Sequence, residues 1–133
     1  MTETALLYPM TAQLIWVALL YALLTAARAP AVWGIGTNTP ASARLQAIEP
    51  KISANLSNQF EWPVFFYVVC VLLMQHGAVD SVQIGLAWLF FIGRIIHSSV
   101  QILTNNVRLR GLVFTINFLA VLVMWGLLLK KAL

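Results

Sequence analysis

From Leu6 to Ala27 the chain runs without one charged side chain. At 1.5 Å per residue, this stretch of about 22 residues is long enough as a helix to cross a hydrocarbon core of about 30 Å. Two further apolar runs, 82–103 and 112–129, have similar reach, and a shorter one follows residue 60. Composition agrees: of 133 residues, 61% are hydrophobic and only 9% charged, against about 25% charged in soluble domains. The expectation is an all-α integral membrane protein, a single domain over 1–133. It forms a four-transmembrane-helix up-down bundle with spans near 6–27, 56–75, 82–103 and 112–129.

The first run could be read as a secretory signal, with small residues around Ala27-Arg28-Ala29. The N-terminus lacks a basic region, carries Glu3 and leads into a long apolar run, so a retained helix is expected. Cys70, the sole cysteine, lies in a span and forms no disulfide within the chain. The formal charge of +4 is scattered over loops and tail. No basic stripe supports nucleic-acid binding. No metal site is expected, since His76 and His97 are a span apart and Cys70 is isolated.

Residues 28–59 are the longest polar segment. Pro30, Gly34, Gly36 and Pro40 break its first half, and the Gly34/Gly36 pair has no strand before it and no phosphate motif after it. In the second half Leu45, Ile48, Ile52, Leu56 and Phe60 recur at helical spacing. Pro50 suits a first turn, so a helix is expected from near Glu49 into the second span. From Trp62 to Met74 the apolar run is too short to cross alone, so the span must take in Asn58 and Glu61. Pro63 frees the carbonyl of Gln59 and kinks the chain there.

Basic residues set the orientation. Arg28, Arg44, Lys51, Arg108 and Arg110 fall in the two loops on one side, and only Lys130 and Lys131 fall on the other. Loops 28–59 and 104–111 are therefore expected in the cytoplasm and both termini outside, which in a bacterium means the inner membrane.

Within the third run, Arg94, His97 and Gln101 share one helix face. An arginine near mid-bilayer costs about 3 kcal/mol on insertion scales and needs a partner. Glu61 enters from the same side at comparable depth, so a structural Glu61–Arg94 ion pair is expected. Asn58 should lie near His97 or Gln101, with Arg108 and Arg110 at the mouth of a polar cleft.

Two segments resemble the family of membrane-associated proteins in eicosanoid and glutathione metabolism (MAPEG). Asn58-Gln59-Phe60-Glu61-Trp62-Pro63 is similar to its N-x-x-E motif with a proline close behind. Gly93-Arg94-Ile95-Ile96-His97, with Arg110 thirteen residues after the histidine, is similar to its third helix and following loop. The resemblance implies a homotrimer that binds glutathione, as cosubstrate, between subunits at the cytoplasmic side, beside a hydrophobic small molecule and membrane lipid. It implies that Asn58, Glu61 and His97 line the pocket and that Arg110 is the catalytic thiolate stabiliser. Glutathione-using members carry arginines where this chain has Ala54 and Ser57, and a tyrosine where it has Gln101. Gln101 then faces the pocket, and Arg28 is the candidate to replace the missing charge. The function so implied is a glutathione-dependent transferase or peroxidase. The competing expectations are a non-enzymatic scaffold or lipid-binding trimer, and a proton-coupled solute transporter using Glu61.

Overall fold

A computed structural model describes residues 2–133. After a 3-10 turn at Glu3–Leu6, five helices follow: α1 (Leu7–Trp33), α2 (Pro40–Asn58), α3 (Pro63–Gln75), α4 (Ser81–Leu103) and α5 (Val107–Ala132). Helices α2 and α3 form one broken span, so four segments are long and apolar enough to cross a membrane. Their connections are short, and α4 packs against α1, α2 and most extensively α5.

The break between α2 and α3 has a local cause. Pro63 has no N–H to give to the carbonyl of Gln59, and its ring excludes that carbonyl from a regular turn. The chain tightens to i→i−3 bonds from Gln59 N to Leu56 O (3.1 Å) and from Phe60 N to Ser57 O (3.1 Å). Pro63 then serves as the first residue of α3, where its fixed φ is already helical. The kink expected inside a continuous helix is a full interruption.

Two helix starts differ from the sequence-based expectation. Helix α2 begins at Pro40 rather than near Glu49, because Thr39 caps it by accepting from Ser42 N at 3.1 Å. Pro50 is absorbed in the helix interior. Helix α5 begins at Val107 rather than Leu112, because Asn106 accepts from Leu109 N at 3.0 Å. Only Thr104–Asn106 remain as loop, and Arg108 and Arg110 sit in the first turn of α5. Helix α1 runs past Ala27 to Trp33 and ends at Gly34, whose φ of 66° gives a left-handed cap.

The exterior carries the apolar surface of a membrane protein, with Leu14, Ile15, Leu19, Ile92 and Leu119 all about half exposed or more. Inside are two apolar clusters. One joins Leu6 to Phe66, Val69, Phe90, Val121 and Met124, with the rings of Phe66 and Phe90 stacked at 4.2 Å. The other joins Val17, Leu20 and Leu24 of α1 to Ile52 and Leu56 of α2 and Ile102 of α4. The helices also bury polar residues, among them Gln13 on α1, Asn55 and the capping Gln59 at the end of α2, and Arg94 and Ser98 on α4.

Candidate functional site

Arg94 is the largest fully buried side chain, 1% exposed. Its Nε donates to Gln59 Oε1 at 3.3 Å, and Gln13 Nε2 donates to the same oxygen at 3.0 Å. Gln59 in turn donates through Nε2 to Asn55 Oδ1 at 3.1 Å and, more weakly, to Ser98 Oγ at 3.4 Å. Trp16 Nε1 also donates to Ser98 Oγ at 3.1 Å. Asn55 Nδ2 and Asn58 Nδ2 both donate to Gln101 Oε1, at 2.9 and 3.1 Å. The helix break makes this possible: by tightening the end of α2, it turns Gln59 inward between α1 and α4, where it is 2% exposed.

At the far end of this network a cleft of about 350 Å³ opens between α2, α4 and the start of α5. Ala54 and Lys51 form one wall, Gln101 lies at its inner side, and Arg110 and Asn106 border the other. Lys51 is already committed, donating through Nζ to Thr104 O (3.1 Å) and Asn105 Oδ1 (2.6 Å) and so tying α2 to the short loop. Arg110 makes no ion pair among the described residues, whose salt bridges are Arg28–Glu49 and Lys131–Asp80. Its guanidinium therefore stands beside the N-terminal end of α5, where the helix dipole is also positive. Together with the Lys51 ammonium, whose acceptors are both uncharged, these positive features favour an anion in the cleft.

The residues expected to form one site are partly dispersed. Gln101 and Arg110 share the cleft, and Asn58 supports Gln101 from behind. His97 is buried on the same face of α4 with Nδ1 unpartnered, its ring 6.1 Å from that of Phe114 on α5. Glu61 is exposed on the break and makes no ion pair with Arg94 within one chain. Arg28 is held by Glu49 at 2.7 Å and by Ser53 at 3.3 Å, so it braces α1 against α2. Among the described residues no group of histidines, cysteines and carboxylates is arranged to hold a metal. The side chains of Gln13, Asn55 and Gln59 have no role in the sequence-based expectation. The available signal was a lone amide in each apolar stripe: Gln13 between Leu6 and Val17, Asn55 beside Ile52 and Leu56.

Four membrane-length helices around a buried polar belt, with a cation-lined cleft at one end, define an integral membrane protein of the small four-helix-bundle class. The chain belongs to the MAPEG family, whose family model matches residues 6–130. That places it among membrane proteins of glutathione and eicosanoid metabolism. Comparisons with curated proteins and with solved structures each return no significant match.

Proposed function

We propose that this protein is a glutathione-dependent transferase or peroxidase working as a homotrimer in the membrane, with Arg110 holding the glutathione thiolate in the α2–α4–α5 cleft. The observation that carries the reading is Arg110 itself: a guanidinium without an internal carboxylate, lining an open cleft beside Gln101. A fixed cation lowers the pKa of a neighbouring thiol and raises the thiolate fraction at neutral pH. The thiol proton leaves to water through the open mouth, and the thiolate then attacks an electrophilic carbon of a substrate dissolved in the surrounding lipid. The S–C bond forms as the carbon–halide bond breaks and halide departs, or as a C=C π bond breaks and its electron pair takes a proton from water. Asn58, Glu61 and His97 complete the pocket in this reading, and Glu61, exposed within one chain, faces a neighbouring subunit. Arg94 is buried behind the cleft and does not touch glutathione in this reading. The orientation that fits places the cleft in the cytoplasm, where glutathione is held reduced, with both termini outside.

The test is a titration of purified protein in detergent with millimolar glutathione. Growth of thiolate absorbance near 240 nm and a raised melting temperature are expected. If neither changes, the glutathione assignment fails.

A further inference from the structure

The polarity of the buried amide network can be worked out from chemistry alone. A carboxamide has an acceptor end and a donor end, which exchange places when the group flips by a half turn. A guanidinium has only donors. Arg94 Nε therefore admits only the oxygen of Gln59, and that choice fixes every amide beyond it. With Oε1 toward Arg94, Gln59 turns Nε2 toward Asn55 and requires Oδ1 there. Asn55 must then offer Nδ2 to Gln101, which receives it on Oε1. Asn58 delivers a second N–H to the same oxygen. Gln101 thus has its acceptor fully engaged inside the protein, while its Nε2 has no partner among the described residues. The side chain is 8% exposed and lines the cleft that holds Arg110.

We propose that Arg94, through Gln59 and Asn55, locks the Gln101 carboxamide with its N–H2 toward the Arg110 cleft, making Gln101 a second, neutral donor to the anionic sulfur bound there. This rests on the glutathione reading above and assigns residues to it: Gln101 touches the ligand, and Arg94, Gln59 and Asn55 are positioning residues. The arrangement answers how a charge buried in the bundle serves a site to which it does not belong. Each amide in the series donates to the carbonyl of the next, and hydrogen bonds aligned head to tail polarise one another in a medium of low dielectric. The positive end of the chain is Arg94, so the terminal N–H2 is a better donor than an isolated amide. Without the guanidinium, Gln59 would be free to flip. Gln101 could then present its oxygen, which repels a thiolate.

The experiment follows the apparent pKa of the glutathione thiol bound to the trimer, read as absorbance near 240 nm against pH, beside the melting temperature. Gln101→Met is expected to raise that pKa by about one to two units, the value of one charge-assisted hydrogen bond. Gln101→Asn keeps an amide for Asn55 and Asn58 but shortens its reach, and is expected to raise it as well. Arg94→Met, which touches no part of the cleft, is expected to raise it too, and Arg94→Lys, again donor-only, to restore it. A merely structural Arg94 would move the melting temperature and leave the thiol pKa where it was. The proposal is overturned if glutathione still binds Gln101→Met and Gln101→Asn with its thiol pKa unchanged, an outcome that leaves the glutathione reading standing. If the unaltered protein shows no thiolate signal at all, both fall together.

Discussion

The carboxamide of Asn117 on α5 lies directly against the backbone of Gly93 on α4, occupying the space a Cβ at residue 93 would need. The obstruction is Asn117 Oδ1, with Cγ 3.0 Å from such a Cβ and Nδ2 at an ordinary 3.5 Å, so Asn117 must shift within the α4–α5 contact to admit it. This contact lets the two most extensively packed helices approach closely between the apolar cluster of Phe90 and Val121 and the turn carrying His97. Gly93→Ala is therefore expected to destabilise the bundle by about 1–3 kcal/mol, the usual penalty for overpacking. The Asn117 amide atoms have no hydrogen-bond partner within the chain. Replacing Asn117 with alanine removes both the obstruction and a costly unpaired amide. The double variant Gly93→Ala/Asn117→Ala should recover most of the loss, and a melting-temperature cycle with a coupling below about 0.5 kcal/mol would refute the contact's role.

Arg110 and Lys51 both line the cleft, yet their variants should differ in kind. Arg110 has no internal partner, so Arg110→Ala is expected to cost roughly ten- to a hundred-fold in thiolate formation, as loss of one charged hydrogen bond does. Melting temperature should move little, because the half-buried side chain has no ion-pair partner to lose. Stopped-flow detection of thiolate beside thermal denaturation separates the two effects.

Lys51 holds the α4–α5 connection through Thr104 and Asn105. Lys51→Met keeps the aliphatic stem and removes both donors, so the connection loosens while the charge at Arg110 stays. Glutathione affinity should fall by about two- to five-fold, in line with the small worth of exposed polar contacts. The pKa of the bound thiol should rise by less than it does in Arg110→Ala, since the Lys51 charge is held away toward Thr104 and Asn105. A shift in that pKa equal to the one from Arg110→Ala would show that Lys51 contacts the ligand itself.

What was legible in the sequence divides along physical lines. Four spans and a bend at Pro63 follow from run length and from one missing N–H, both local properties, whereas the full interruption between Asn58 and Pro63 does not. The early start of α5 was also local: Asn106 is a good capping residue three positions before Leu109, but the charged Arg108 and Arg110 make that turn look like loop. The hub was not legible. Helical spacing places Arg94, His97 and Gln101 on one face, and all three are buried. It does not say which neighbour meets Arg94, because that depends on how far the break rotates Gln59 relative to Glu61. A nearby carboxylate is the obvious partner for a buried arginine. Within one chain an amide stands there instead, since tightening α2 turns Gln59 inward and leaves Glu61 outward.

The end of the bundle opposite the cleft supplies a test of pH dependence. Asp80 caps α4, accepting from Gln83 N at 2.9 Å, and also pairs with Lys131 of α5. The hydrogen bond from Lys131, with smaller help from the Gln83 N–H, holds its carboxyl below the ordinary carboxylate range. A carboxylate whose pKa is depressed on folding contributes stability above its unfolded pKa of about 3.9, and loses it as pH falls through the lower folded value. Both side chains are well exposed to solvent, so the pair contributes no more than about 0.5 kcal/mol. Asp80→Asn isolates this term, because asparagine caps a helix about as well as aspartate does. The variant should melt slightly lower than the parent at pH 7 and at the same temperature near pH 2. The difference at pH 7 should shrink in high salt. A gap that persists unchanged at pH 2 would trace the loss to the cap and not to the ion pair.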